Sequence, residues 1–426
     1  MQARRYDPID PITFQQLAQK RKDIYQQLLL LRSQRNALSK AAASHQRKST
    51  SSSTSAQALA SNTRERSIQQ AQVLKASIKQ HEQDLEQVES QLLAQSLMIP
   101  NTIHSQVPRG DEPVILQEIH GTSKNDSFEP LDHVTLNQRL GFMDMEQASR
   151  IAGSSFYYLQ GGGAYLELAL IQYAMDKAVK RGYLGILTPD IVRTSLANAC
   201  GFQPRRGESQ QMYNVNTDNT DGLCLTGTAE IPLAGKFLDR IIPQVDLPQR
   251  CVGFGHAFRM EAGGRGVETK GLYRVHQFSK VELFAVTTPD QSEDMLEEFK
   301  TLQQDIFTEL GLTFRILDMP AQELGASAHR KYDMEAWLPG RKKWGEISST
   351  SNCTDYQARR LSIRYRPTHP TSDNTLFCHT LNGTAMAVPR VIIAILETFQ
   401  QPDGSVTIPE VLRKWIPGQP THLTPS

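Results

Sequence analysis

Arg259 and Glu261 stand at the end of a run in which Val252, Phe254, His256 and Phe258 share one parity. Gly263, Gly264, Gly266 and Gly271 follow, and alternation resumes from Leu272 to Phe284. Glycines at that density exclude a helix between the two runs, so the pattern predicts two antiparallel strands joined by a long, mobile loop. On the second strand Arg274, His276, Phe278, Lys280 and Glu282 have the same parity, placing guanidinium, aromatic ring and carboxylate on one face. Such a face is either the solvated side of a sheet or one built around a ligand. Arg259 and Glu261 beside a loop able to close favour the ligand. Guanidinium groups grip phosphate or carboxylate oxygens bidentately, and Phe278 offers a purine a surface to stack on. The pattern suits a nucleotide on an antiparallel sheet and does not suit a dinucleotide fold, whose glycines lie between the strand and helix of a parallel unit.

Three further constellations carry polar groups that chemistry can use. Thr228, Ala229 and Glu230 lie between a turn and a helix, a spacing equally suited to a simple capping arrangement. Glu346 and Ser349, in GEISST, read as polar residues near a strand end. Arg390 follows Pro389, which suits the first turn of a helix, and Val391 to Phe399 is apolar enough to be buried. A buried cation near a helix N-terminus is electrostatically unwelcome unless an anion sits beside it, so Arg390 points to a phosphate.

The elements that must position these residues are set by the rest of the chain. Its 426 residues suffice for one large core and a smaller domain. A net charge of +1 confines any basic surface to a local patch. No apolar run approaches the ~18 residues of a membrane span. Five scattered cysteines without a CxxC pair argue against a disulfide framework or structural zinc site, and for a reducing compartment. Leu17, Ile24, Leu28, Leu31 and Leu38 form a heptad seam, and Leu74, Ile78, Leu85, Val88, Leu92 and Ile99 form another. The Ser/Thr-rich segment between them, residues 49–63, has too little apolar content to pack and is expected to be structureless. Two helices of roughly 35 residues, each about 50 Å long, would therefore fold back as an antiparallel hairpin arm. Phe14 to Lys48 carries eight basic residues, among them Arg32, Arg35 and Lys40, against Asp23 alone. That excess is either a solvated helix face or the footprint of phosphate-backbone contacts. The Pro/Gly-containing run from Pro100 to Pro113 reads as a linker. Glu167 to Arg181 is an amphipathic helix leading to a short strand that ends at Pro189.

FRMEAG, the glycine loop and GLYRVHQFSKVE, residues 258–282, resemble the second signature motif of class II aminoacyl-tRNA synthetases, in the version of the seryl-tRNA synthetases. SQRNALSK in the arm, LTGTAEIPLAGKF, GEISSTSNCTDYQARR and HTLNGTAMAVPRVIIAILETF are similar to further motifs of that family, and the resemblance runs from about Leu17 to Gly418. It implies an α+β fold. Residues 1–105 would be a tRNA-binding antiparallel coiled-coil arm, and residues 106–426 a catalytic antiparallel sheet flanked by helices. Serine would be bound by Thr228, Ala229, Glu230, Arg259, Glu282, Asn382 and Thr384. ATP would be bound by Arg259, Met260, Glu261, Arg274, Val275, Phe278, Glu346, Ile347, Ser348, Ser349 and Arg390. Glu346 and Ser349 would hold Mg²⁺, for which hard oxygen ligands are required, and Arg259 and Arg390 would be the catalytic pair. Arg32, Arg35 and Lys40 would meet tRNA(Ser). Thr384 and Pro389 stand where many family members have Ser and Gly, and neither change removes a side chain that the chemistry needs.

The activity so implied is serine–tRNA ligation: L-serine and ATP give seryl-adenylate, whose seryl group passes to the tRNA 3′ end. No editing domain is visible, so selection would rest on the serine pocket. The helix at 167–181 and the following strand are similar to the family's motif 1, which implies a homodimer. A non-catalytic paralogue that binds RNA or protein is the alternative, and it would be expected to lose Arg259, Glu282, Glu346 or Arg390. A ligase of the same fold that charges a carrier protein would lack the long basic arm. FSKVELFAVT and the glycine-loop region are similar to fungal mitochondrial members, which implies the mitochondrial matrix, although the first residues do not read as a presequence; a bacterial or cytosolic enzyme is the alternative.

Overall fold

The computed structural model describes residues 10–48, 54–122, 128–202, 211–215, 222–261, 270–368 and 374–424. Gly263, Gly264, Gly266 and the serine run 49–53 lie outside the described residues. The chain divides into a helical unit ending at Ile99 and a larger unit that begins at Pro100.

The helical unit consists of α1 (Pro11–Lys48) and α2 (Thr54–Leu97). Asp10 starts α1: its carboxylate accepts the Ile12 N–H at 3.0 Å and the Thr13 N–H at 3.3 Å, and Pro11 occupies the first position, where no N–H is needed. Ion pairs Arg21–Glu89 (2.7 Å) and Arg32–Glu82 (2.8 Å) join the helices, residue numbers rising on one as they fall on the other, so the pair is antiparallel. Leu28, Ile78 and Val88 are buried from the two seams, and the remaining seam leucines and Ile24 are half-buried. Ile99 departs from the expected seam: α2 stops at Leu97 and Ile99 is exposed. The serine-rich tip is also shorter than expected, because α2 starts at Thr54. Ala56, Ala58, Leu59 and Ala60 are strong helix formers, and their propensity outweighs the scarcity of apolar side chains. Residues 100–105, expected with the arm, belong to the larger unit. There Asn101 N–H donates to Ala326 O (2.8 Å), and His104 N–H to His329 O (3.0 Å).

The larger unit is organised by eight strands: β1 (Val114–Ile119), β2 (Leu184–Leu187), β3 (Gln249–Phe258), β4 (Gln277–Thr287), β5 (Phe314–Asp318), β6 (Arg330–Leu338), β7 (Lys343–Asn352) and β8 (His379–Ala387). Their spatial order is β1-β5-β6-β7-β8-β4-β3-β2, every pairing antiparallel except β2 with β3. Helices α3 (Gly162–Lys180), α4 (Glu230–Gly235), α5 (Ser292–Glu309), α6 (Tyr356–Arg360) and α7 (Val388–Phe399) pack around the sheet. On β4, Leu283 and Ala285 enter the main core with Leu166, Leu170, Phe299, Phe307 and Ile395, whereas Phe284 and Val286 enter a second cluster with Ile231, Leu233 and Phe237. A central strand covered on both faces reads as a continuous apolar run, and β4 does from Leu283 to Val286. Only its first half alternates, and that half carries the polar residues.

The expected strand pair is present as β3 and β4, but β4 begins at Gln277 rather than at Leu272. Gly271 to Tyr273 form a 3₁₀ turn, with Gly271 at φ +69°. A Cβ at Gly271 would stand 2.1 Å from His133 Nε2, which itself accepts the Leu272 N–H at 3.2 Å. The buried His133 side chain is held in turn by Glu397 (3.1 Å) on α7. This anchor takes residues 271–274 out of the strand, and Arg274 with them.

Candidate active site

β3 and β4 pair without interruption from Gln249↔Val286 to Phe258↔Gln277, and the Arg259 N–H donates to His276 O at 2.9 Å. Arg259 therefore emerges where the sheet ends. Its guanidinium lies 5.4 Å from the centre of the Phe278 ring, and its Nε donates to Gly227 O at 3.2 Å. Glu261 has φ +43°, a strained conformation for a residue with a side chain, and stands at the edge of the glycine loop. Its carboxylate lies 3.5 Å from Arg274.

Two irregularities in the ladder aim the remaining side chains. Across β6 and β7, Glu335 faces Glu346 while Met334 faces Ser348, so Ile347 is an extra residue. Glu346 and Ser349, of opposite parity in a regular strand, thereby both reach the cleft. Across β4 and β8, Val281 faces Met386 while Glu282 faces Thr384, which leaves Ala385 extra. The buried Gln303 of α5 braces both places, donating to Ser349 O (2.9 Å) and Thr384 O (3.1 Å). The Ser348 hydroxyl also donates to Thr384 O, at 2.6 Å.

A half-open cleft results. Of the residues expected at the site, Arg259, Glu261, Arg274, Val275, Phe278, Glu346, Ile347, Ser348, Ser349, Thr384 and Arg390 line it. Leu272, Tyr273, Lys280, Ala387 and Pro389 line it too, and none of these five is among the substrate-binding residues the resemblance implies. Lys280 carried the clearest signal, sharing its parity with Phe278 and Glu282. Met260 is not among the residues that line the cleft, and its side chain is partly exposed.

Arg390 sits in the first turn of α7, as expected, but is half-buried rather than buried. Its Nη1 donates to Glu346 Oε2 and to Glu346 O, both at 3.0 Å, and its guanidinium lies 4.9 Å from the Tyr273 ring centre. Burial opposes the charge on Arg390, yet the Glu346 carboxylate and the Tyr273 ring outweigh it and lift its pKa above the ordinary value. Burial likewise works against ionising Glu346, and Arg390 followed by Lys331 overcomes this, holding the carboxyl well below the usual range. Arg259 behaves oppositely. Its burial, with Arg390 nearby adding repulsion, lowers its pKa despite Glu261.

Beneath this rim lies a second, denser polar cluster. Lys280 Nζ is 2.6 Å from Glu282 Oε2 and donates to Thr228 Oγ1 at 3.1 Å. Thr384 Oγ1 donates to the same Glu282 oxygen at 3.3 Å. Lys280, Glu282, Thr228 and Thr384 are all buried. Glu230, in the first turn of α4, accepts from Gln357 Nε2 (2.6 Å) on α6 and from Asn382 Nδ2 (2.9 Å) on β8. Burial, followed by the Glu282 charge, raises the Glu230 carboxyl to about 7. The Glu230 N–H also donates to Thr228 Oγ1 at 3.3 Å, so the capping contact coexists with the cluster. Ala229 is buried in the apolar packing beside it. Gln357, with no surface exposure, links α4, α6 and β8 by accepting from Thr380 Oγ1 at 2.8 Å as well. Nothing in the local sequence distinguishes Gln357 or Gln303, because their partners lie on other elements.

On the helical unit, Arg35 and Lys40 are exposed while Arg32 is tied to Glu82. Among the described residues no helix is long and apolar enough to cross a membrane.

Residues 213–399 match the family model described as the tRNA synthetase class II core domain (G, H, P, S and T). A serine–tRNA ligase of Rubrobacter xylanophilus is 43% identical over 403 residues, 94% of this chain and 90% of that one. The mitochondrial serine–tRNA ligase of Saccharomyces cerevisiae is 43% identical over 340 residues, 78% of this chain and 74% of that one. The crystal structure of seryl-tRNA synthetase from Pyrococcus horikoshii complexed with ATP superposes with a TM-score of 0.81 at 30% identity, covering 97% of this chain and 93% of that chain. An antiparallel sheet that gathers arginines at its rim over a buried pair of glutamates, together with identities of this size over nearly the full length, leads to one conclusion: the chain belongs to the seryl-tRNA synthetase family of class II aminoacyl-tRNA synthetases.

Proposed function

We propose that this serine–tRNA ligase divides its cleft between the two substrates, ATP along the arginine-bearing rim and serine in the buried cluster. The observation that carries the reading is the juxtaposition of Arg259, Arg274 and Arg390 with the Lys280–Glu282 and Glu230 cluster on one face of the sheet. Adenine stacks on Phe278, flanked by Glu261, Arg274 and Val275; Ile347 and Ser348 border the nucleotide; Arg390 binds the γ-phosphate. Thr228 and Glu230 receive the serine ammonium, Glu282 and Thr384 its hydroxyl, and Asn382 braces Glu230. Ala229 and Met260 contribute through backbone rather than side chain.

The serine carboxylate then attacks the α-phosphorus, forming a mixed anhydride and expelling pyrophosphate. No side-chain nucleophile is required. Arg259, where the two substrates meet, aligns the carboxylate with the α-phosphate and stabilises the charge that builds on the phosphoryl oxygens. In the second step the terminal tRNA hydroxyl attacks the anhydride carbonyl and AMP departs. Glu346 and Ser349 fit Mg²⁺: both supply hard oxygen, Glu346 is held ionised, and phosphates complete the shell such an ion prefers. When bound, the ion neutralises phosphate charge.

The helical unit acts as a coiled-coil tRNA arm, with Arg35 and Lys40 on phosphates of tRNA(Ser) and Arg32 alongside. Its antiparallel pairing and the basic excess on α1 support this. α3 and β2 form the interface of a homodimer, supported by exposed Tyr165, Leu168, Leu184 and Leu187. Residence in the mitochondrial matrix is favoured by mitochondrial relatives, although bacterial ones are equally similar; a fluorescent fusion found in the cytoplasm would overturn it.

The test is ATP–pyrophosphate exchange with serine, threonine, alanine and glycine, run beside Arg259→Ala. Exchange with serine alone, lost in the variant, supports the reading; no exchange from folded protein refutes it.

A further inference from the structure

Lys280 is the one cation among the groups that hold Glu282. It projects from β4 two residues before Glu282, on the same face, and 8% of its surface remains exposed. Its ammonium makes a 2.6 Å contact with Glu282 Oε2 and donates to Thr228 Oγ1 at 3.1 Å. Thr384 donates to that same Oε2, so both contacts fall on one carboxylate oxygen. The other groups nearby are Glu230 on α4, held by Gln357 and Asn382, and Arg259 at the end of β3.

A bare buried carboxylate would draw a cation more strongly than a hydroxyl, because in a low-dielectric pocket the charge–charge attraction exceeds a single hydrogen bond. Glu282 is not bare. Lys280 already supplies the positive charge at one oxygen, and the other remains able to accept from a neutral donor. A ligand presenting a second ammonium would face repulsion from Lys280 and gain an anion whose charge is already compensated. A hydroxyl meets neither penalty. Rejecting the unwanted ligand by a built-in repulsion is a recognised route to specificity.

Resting on the assignment of this cluster to serine, we propose that Lys280 is a specificity-determining residue, which restricts the side-chain subsite at Glu282 to a neutral hydroxyl donor and excludes amino acids carrying a side-chain amine. The nearest such competitor in size is L-2,3-diaminopropionate, with an amine in place of the serine hydroxyl.

The test is ATP–pyrophosphate exchange by the full-length protein with L-serine and with L-2,3-diaminopropionate, comparing wild type, Lys280→Met and Lys280→Arg. Lys280→Met is expected to lower kcat/KM for serine at least ten-fold while that for diaminopropionate holds or rises. The serine preference should then fall on the order of 100-fold, with the ATP KM within about three-fold of wild type. Lys280→Arg keeps the cation and should retain the preference within about five-fold even if both rates drop. A proportional loss for both amino acids in Lys280→Met, with the preference intact, would overturn the proposal and leave Lys280 as packing. Should Lys280→Met not fold, Lys280→Gln removes the charge but keeps a donor, and the same ratio decides. Absence of serine exchange in wild type would instead refute the activity assignment itself.

Discussion

The two ends of the cleft are built on different principles. At the rim, Arg274 meets Glu261 at 3.5 Å and Arg390 meets Glu346 at 3.0 Å, Arg259 lines the same cleft, and Arg274 is exposed. In the depth, Glu230, Glu282, Lys280, Thr228, Thr384, Asn382 and Gln357 are bonded to one another, and most are buried. A triphosphate brings so much charge that its site needs only cations in roughly the right place. Serine differs from alanine by one oxygen, and the discrimination must come from groups fixed before it arrives, so that a missing hydroxyl leaves a buried acceptor unpaired. On the proposed division of substrates, the rim is therefore tuned for charge and the depth for geometry.

Breaking both ends at once should have the largest effect. Arg259 is the only lining arginine proposed to touch both substrates, and Arg259→Ala is expected to lower kcat of serine-dependent exchange by about 10³-fold or more, equivalent to at least ~4 kcal/mol of transition-state stabilisation. A ten-fold loss would mean that the two ends meet elsewhere.

Single-end variants sharpen the contrast. Glu282→Ala should raise the serine KM by on the order of 100-fold with the ATP KM nearly unchanged, because it leaves the Lys280 charge unpaired in a buried site. Arg390→Ala should do the converse, raising the ATP KM about 30-fold at constant serine KM. Measured by varying each substrate at saturation of the other, a variant that moves both constants equally would dissolve the distinction.

A gentler probe is pH. Glu230 titrates at about 7, raised by burial and by Glu282. A raised carboxyl is neutral below its pKa, and only its ionised form can pair with the serine ammonium. The serine KM should thus climb up to ten-fold per unit as pH falls below 7 and level off above it, while the ATP KM stays flatter. Glu230→Gln should remove that dependence along with most of the serine affinity. An ATP KM that follows the same curve would place the titrating group at the rim.

The contrast also explains what was legible in the sequence. The residues that gather at the rim were visible in the sequence, since they lie within three short motifs and their parity is a local property. Even there, strand geometry escaped: Arg274 left its strand because Gly271 is pinned against His133, a contact made across 138 residues. The joint approach of Glu346 and Ser349 depends on an extra residue opposite β6, which no single strand reveals. The depth was legible only as an inventory. Glu230 and Glu282 were named, but Gln357 and Gln303 act through partners on other elements, and the sequence shows the group without the partner. In the helical unit the seams were visible from spacing alone, whereas the start of α2 was missed because alanine propensity prevailed over a low apolar count.

The smallest expected effect on the cleft comes from outside it. Arg35 and Lys40 are exposed on α1. Arg35→Ala with Lys40→Ala should therefore leave serine-dependent exchange within about 1.5-fold of wild type while raising the KM for tRNA(Ser) several-fold in aminoacylation. If both side chains meet phosphates, each should also release counterions on binding, so the dependence of tRNA affinity on salt should flatten by about one unit of log–log slope per residue removed. Unchanged slope with weaker binding would mean that the residues hold the helix rather than the RNA. Lost exchange would be the more instructive failure. It would show that the chemistry in the cleft depends on the arm, and the comparison between two ends of one site would have to become a comparison among three.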